Sequence, residues 1–103
     1  MGVNQEVTKM FINFMESQGY TILSFEVDRS GSLEWVAFKP TEGLDKFISL
    51  FLTNDVWTVE AGISDERRFM RQTVASLTLS QEISMLLMVG IQHLDTLTSQ
   101  DLI

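Results

Sequence analysis

Residues 21–39, TILSFEVDRSGSLEWVAFK, consist of two runs of alternating apolar and polar side chains on either side of a turn sequence. A period of two predicts strands, because successive side chains of a strand point to opposite faces. A three-residue loop with Gly31 in the left-handed conformation pairs Phe25 with Trp35 and gives the hairpin one apolar face. A four-residue loop would pair Phe25 with Glu34 and mix the two faces. Burial therefore selects the first register.

A second hairpin is predicted after a surface loop at residues 39–45. Its strands cover about residues 46–53 and 56–61 and are joined by a two-residue Asn-Asp turn. This turn pairs Leu50 with Val59 and again leaves one face of the hairpin wholly apolar. The two hairpins together predict a four-stranded antiparallel meander.

Helices are predicted on both sides of the strands. An N-terminal apolar stripe has helical spacing and consists of Val3, Val7, Met10, Phe11, Phe14 and Met15. Gly19 is suited to end this helix in a left-handed turn. The C-terminal helix begins near Ile83 and is apolar on most sides, which is typical of a helix buried against a sheet or a second copy. The sequence thus predicts one α+β domain over residues 1–103, with the C-terminal helix packed on one sheet face.

Residues 65–77 fit two structures. Their apolar positions follow a helical stripe, which favours a helix slightly, but Thr73, Val74 and Thr78 also suit a fifth strand. The choice affects function, because the outer sheet face is predicted to be rich in apolar side chains: Ile22, Val36, Phe38, Phe47 and Phe51. A helix over 65–77 would cover this face. A fifth strand would leave it to another protein or to a second subunit, since large apolar patches rarely stay exposed.

The composition argues against most chemistry. The chain has 14 acidic and 7 basic residues, a net charge of −7, no cysteine and one histidine, His93. An acidic protein is poorly suited to bind nucleic acid directly, because that affinity comes from Lys and Arg. The sequence contains no cysteine-histidine cluster, no calcium-loop spacing and no phosphate loop, so we expect no enzyme activity, no metal and no cofactor.

No apolar run is long enough to span a bilayer; the longest, at residues 83–91, is interrupted by Ser84. We therefore expect no membrane contact. The lack of cysteine fits a cytoplasmic location.

Carboxylates on the predicted hairpins could form a binding patch. The register sets Glu26 opposite Glu34, with Asp28 next along the same face and Glu60 on the corresponding face of the fourth strand. Like charges that face each other across strands are mildly destabilising. The patch is either an ordinary hydrated surface or a site for a basic partner. The arginines at 67, 68 and 71 are expected to pair with nearby acids.

These observations predict a non-enzymatic, acidic protein-binding domain. It would act as an inhibitor, immunity protein or antagonist that occludes a basic partner, such as one that acts on nucleic acid. The partner-binding residues would be Glu26, Asp28, Glu34, Glu60, Phe38 and Phe51. The alternative is a homodimeric adaptor or secretion-chaperone-like interaction protein, joined through the C-terminal helix or the face that carries Phe38 and Phe51.

Overall fold

A computed structural model describes residues 2–27, 33–78 and 82–102 of the chain. Its elements are α1 (Gly2–Ser17), β1 (Thr21–Val27), β2 (Leu33–Thr41), β3 (Leu44–Thr53), β4 (Val56–Ser64), β5 (Phe69–Leu77) and α2 (Ile83–Asp95), followed by a 3₁₀ turn at Ser99–Asp101. The strands form one open antiparallel sheet in chain order. Both helices pack on the same side of it. The predicted α+β class is confirmed.

The predicted registers of both hairpins are also confirmed. Phe25 pairs with Trp35 in the first hairpin, although its loop, residues 28–32, lies outside the described part of the chain. In the second hairpin Leu50 pairs with Val59. Asn54 and Asp55 of its turn have φ values of 51° and 64°. Positive φ at both central residues is the requirement of a type I′ turn, whose twist matches that of the strands.

The surface loop predicted at residues 39–45 is shorter than expected. β2 continues to Thr41 and β3 begins at Leu44, with the turn closed by Gly43 at φ 76°. Pro40 is tolerated here because the pairing of β1 with β2 reaches no further than Phe38, so this end of β2 is an edge on that side. β4 likewise continues past the predicted end to Ser64.

The slight preference for a helix over residues 65–77 is wrong, because β5 pairs along β4. The carboxylate of Asp65 accepts hydrogen bonds from the backbone N–H groups of Arg67 and Arg68, at 2.9 Å and 2.7 Å. Such a side-chain contact favours a turn over a helix start. The open edge of β4 then supplies backbone partners for β5, and this tertiary pairing overrides a weak helical preference.

A β-bulge in β1 reverses the expected orientation of two side chains. The register of β1 against β2 shifts between Ile22 and Ser24. Simple alternation would place Leu23 on the core side together with Phe25, yet Leu23 is 50% exposed, whereas Ile22, predicted on the outer face, packs against the core. The inserted residue accounts for both differences, because it exchanges the faces of its neighbours.

The core lies between the helices and the inner face of the sheet. Its largest fully buried side chains are Phe11, Met15, Ile48, Leu50, Val59, Ile63, Ile83, Leu87 and Leu94. At one end, the indole N–H of Trp35 donates to the hydroxyl of Thr8 at 2.8 Å, and the Trp35 ring lies 5.6 Å from that of Trp57. On α2, Gly90 faces β4 so closely that an added Cβ would lie 3.0 Å from Val59 Cγ2.

Gly19 ends α1 as predicted, with φ at 87°. The N–H of Tyr20 donates to the carbonyl of Met15 at 2.9 Å, and that of Gly19 donates to Glu16 at 3.0 Å. This pair of bonds is a Schellman motif. Within the described residues, neither helix has the length and apolar character needed to cross a membrane.

Candidate functional site

The outer face of the sheet, opposite the helices, is the candidate site. The strand registers align its side chains in rows across β2 to β5. The three central rows are Glu34, Phe51, Thr58 and Ser76; Val36, Ser49, Glu60 and Thr73; and Phe38, Phe47, Gly62 and Arg71. The core that the described helices share with the sheet contains none of these residues, so the described helices pack on the opposite face. The outer face is therefore the uncovered surface that the sequence analysis associated with a fifth strand.

An aromatic strip crosses this face from β2 to the edge strand β5. The rings of Phe38 and Phe47 stack with centroids 6.1 Å apart, and Phe47 meets Phe69 edge-on at 6.0 Å. Gly62 of β4 lies beneath this contact: an added Cβ would touch side-chain atoms of both Phe47 and Phe69 at 3.7 Å, an ordinary contact distance, and would crowd the backbone oxygen of Met70 at 3.1 Å. Phe69 is 60% exposed at the end of the strip.

The charged side chains beside the strip are partly paired with one another. Arg71 Nε lies 2.8 Å from Glu60 Oε1, and its guanidinium carbon lies 5.7 Å from the centroid of the Phe51 ring. Thr73 also donates to Glu60, at 3.4 Å. The charge of Glu60 is thus balanced within the sheet. Arg68 similarly pairs with Asp65 at 2.6 Å, so the expectation that these arginines pair with nearby acids is confirmed for two of them.

Four of the six predicted partner-binding residues are brought together here: Glu34, Phe38, Phe51 and Glu60. The backbone of Glu26 pairs with that of Glu34, as predicted. Asp28 lies outside the described residues, as does the side chain of Glu26. The roles of all six residues in partner binding stay predictions.

Sequence reasoning missed Phe69 as a member of this face, because a helix was favoured for its segment. The signal that could have found it is the alternation of Phe69, Arg71 and Thr73, which all lie on the outer side of β5. Asp45 was also missed, because the segment 39–45 was interpreted as a loop. Its position in β3 places it on the outer face, opposite Pro40 of β2.

The outer face combines aromatic rings with carboxylates. Its centre is apolar and aromatic, and its carboxylates at Glu34, Asp45 and Glu60 outnumber the single guanidinium of Arg71 among the described side chains. No group of three or more metal-binding side chains occurs within the described residues. His93 lies on α2, away from this face, where its Nε2 is hydrogen-bonded to the side-chain oxygen of Gln72 at 2.8 Å.

Comparisons of the chain with protein-family models, with curated proteins and with solved structures found no match.

Proposed function

We propose that this chain is a non-enzymatic protein-binding domain that uses the outer face of its sheet to occlude a basic protein partner. The observation that carries the proposal is the strand structure of β5. Had this segment been a helix packed on the outer face, the aromatic strip would be core. As a strand, it extends the sheet and adds Phe69 to the strip.

The chemistry of the strip suits a protein interface. Phe38, Phe47 and Phe69 lie side by side in the strip, and the apolar residues Val36 and Phe51 lie in the other two central rows of the outer face. Aromatic side chains are enriched at interface centres, where they provide much of the binding free energy. Monomeric proteins rarely expose contiguous apolar patches of more than about 300–600 Å².

Charge favours a basic partner over a second copy on this face. The outer face carries three described carboxylates, Glu34, Asp45 and Glu60, against the guanidinium of Arg71, and the whole chain has a net charge of −7. Two such faces would repel each other, whereas a basic surface would be attracted. Complementary charge mainly speeds encounter. The absence of cysteine from the chain is compatible with antagonism in the cytoplasm.

The first experiment compares two variants with equally exposed apolar residues on opposite sides of the molecule. Phe69 on the outer face is 60% exposed, and Met85 on α2 is 62% exposed. Affinity capture from native lysate, with mass spectrometry, would use the unmodified chain, Phe69→Ser and Met85→Ser at low and high salt. We expect one basic protein to be retained by the unmodified chain and by Met85→Ser, and lost with Phe69→Ser. Retention by Phe69→Ser with loss in Met85→Ser would move the interface to α2.

The purified partner then allows a kinetic test of the acidic rim, the predicted patch formed by the carboxylates of Glu26, Asp28, Glu34 and Glu60. We expect Glu26→Lys with Glu34→Lys to slow association and to flatten its dependence on salt, because the steering field is weaker. We expect Phe69→Ser mainly to raise the dissociation rate, since it removes buried contact area. Unchanged association in the double lysine variant would reject the acidic rim while leaving the aromatic strip as the interface.

A second candidate function, a homodimeric adaptor or secretion-chaperone-like protein, is favoured by the solvent side of α2. Met85, Met88 and Val89 are exposed there at the spacing of one helical stripe. Two such stripes would pack as a helix pair. Sedimentation at micromolar concentration decides this alternative: a dimer has twice the chain mass of 11.7 kDa, and Met88→Glu should dissociate it. A monomer rejects it.

A further inference from the structure

Two lysines face each other at one end of the sheet. Lys39 of β2 pairs in register with Lys46 of β3, and both occupy positions of the helix-covered face. Directly opposed like charges destabilise a strand pair, so such a pair is unusual without a compensating anion. The chain has only 7 basic residues, which makes their placement here more informative.

A small pocket lies between these lysines and the ends of both helices. It has a volume of about 120 Å³, and its lining includes Lys39, Lys46, Tyr20 and Asp95. A water molecule occupies about 30 Å³ in the liquid, so the space admits an anion of a few heavy atoms and excludes a nucleotide.

The lysine contacts in the pocket are long. Lys46 Nζ lies 3.9 Å from Asp95 Oδ1. Lys39 Nζ lies 3.4 Å from the carbonyl oxygen of Gln18 and, over the ring of Tyr20, 5.6 Å from its centroid. Good hydrogen bonds of this type measure about 2.7–3.2 Å, and each ammonium group has three donors to satisfy. The side chain of Lys46 is only 17% exposed, so water has limited access to it. Asp95 is the one carboxylate that contributes to the lining, against two ammonium groups.

Tyr20 supplies a third donor. Tyr20 is 5% exposed and lines the pocket, where its hydroxyl can donate a hydrogen bond. A tyrosine hydroxyl is protonated at neutral pH, and burial, reinforced by the charge of Asp95, raises the pKa of Tyr20 further, to about 12.

We propose that this pocket binds a phosphate-sized oxyanion, held by the ammonium groups of Lys39 and Lys46 and by the hydroxyl of Tyr20. The ligand chemistry is that of a phosphoryl group, either as free inorganic phosphate or as a small phosphomonoester. Such a ligand would bridge the end of α1 to β2 and β3. The site is independent of the proposed function, because it lies on the opposite side of the sheet from the aromatic strip.

The experiment uses the full chain with inorganic phosphate as the probe and sodium chloride of equal ionic strength as the reference. We expect phosphate at millimolar concentration to raise the Tm by about 3 °C or more, since a ligand that binds only the folded state stabilises it. Lys46→Met and Tyr20→Phe should lose most of this rise. Lys9→Met, which removes an exposed lysine from α1, should retain it.

Amide chemical shifts locate the effect, and they decide the outcome if Lys46→Met does not fold. Phosphate-dependent shifts at Tyr20, Lys39 and Lys46 support the proposal. Shifts confined to Arg67 and Arg68, no rise beyond the chloride reference, or an undiminished rise in Lys46→Met would each overturn it. O-phosphoserine distinguishes the two sources: stronger binding than inorganic phosphate indicates a phosphomonoester, and weaker binding indicates the free ion.

Discussion

The two faces of the sheet come from alternating residues of the same strands, but within the described part of the chain the helices cover only one of them. On the inner face Ile48, Leu50 and Val59 are fully buried under α1 and α2. On the outer face the neighbouring residue Phe47 is half-buried, although no described helix or strand lies over it. Strand alternation thus gives the sheet two apolar faces, and the described helices α1 and α2 cover the inner one.

The outer face reduces its exposure through contacts across its own strands. Phe47 lies between Phe38 and Phe69, and Arg71 extends over Phe51 while it pairs with Glu60. These contacts partly shield the rings without burying them. The inner face therefore stabilises the fold through full burial, whereas the outer face keeps part of its aromatic surface accessible to solvent.

The largest expected effect comes from the adjacent residues Ile48 and Phe47, which point to opposite faces. Ile48→Ala should lower the free energy of unfolding by about 2–5 kcal/mol, because it leaves a cavity in a closed core. Phe47→Ala removes more atoms, yet it should cost only about 1–2 kcal/mol, because water can fill the space. Urea denaturation with a common m-value measures both. Equal losses would show that the outer face is covered in solution, for example by a second copy.

A substitution at Gly90 tests how closely α2 packs on the inner face of the sheet. An added Cβ would lie 3.0 Å from Val59 Cγ2 and 3.1 Å from Ile48 Cδ1. Overpacking costs about 1–3 kcal/mol, and the higher helix propensity of alanine returns about 1 kcal/mol. Gly90→Ala should therefore destabilise by about 1 kcal/mol in thermal or urea unfolding. Gln92→Ala, at an exposed position of α2, is the control and should change little. A gain from Gly90→Ala would place α2 further from the sheet.

Two hydrogen bonds between side chains, one in the core and one on the outer face, test whether the two faces also differ in their access to water. Thr8 accepts from the indole of buried Trp35 at 2.8 Å, while Thr58 and Ser76 share an exposed bond of 3.1 Å on the outer face. Thr8→Val leaves a buried donor without an acceptor and should cost about 1–2 kcal/mol. Ser76→Ala should cost less than about 0.5 kcal/mol, because water replaces the lost partner. A loss from Ser76→Ala as large as that from Thr8→Val would indicate that the outer face is dry.

The sequence predicts the inner face well because burial constrains it. A shift of one residue in the first hairpin would move Phe25 and Trp35 to solvent, so only one register is compatible with a core. The same argument fixed Leu50 opposite Val59. Phe38 and Phe51 could be assigned to the outer face for the same reason.

The extent of the outer face could not be predicted, because non-local and irregular features determine it. β5 forms on the open edge of β4, and a local helical stripe gives no information about that edge. The bulge after Ile22 turns this side chain inward, and alternation alone cannot show an inserted residue. Lys39 and Lys46 meet only because β2 and β3 continue through a segment that resembles a loop.

The smallest expected effect on stability comes from the turn at residues 65–68, which leads into β5. Hydrogen bonds from the side chain of Arg68 and from the backbone N–H of Arg67 lower the pKa of Asp65 from 3.8 to about 2. Because the folded pKa is below the unfolded one, this carboxylate stabilises the fold above about pH 4. The contribution is lost as the pH falls from 4 towards 2. Arg68 also donates to the carbonyl of buried Leu102 at 3.0 Å, so it connects this turn to the segment after α2.

Arg68→Gln and Arg67→Gln form a matched pair that tests this turn. Arg68→Gln removes the largest cause of the pKa shift, so the unfolding midpoint should fall less between pH 4 and pH 2 than it does in the unmodified chain. Arg67→Gln keeps the backbone N–H that contacts Asp65 and should retain the original slope. Urea midpoints at several pH values from 2 to 5 measure the difference. If both variants follow the unmodified chain, the turn does not hold Asp65 as described. The pairing of β5 with β4 would then be the remaining cause of the turn between Ser64 and β5, and hence of the exposure of the outer face.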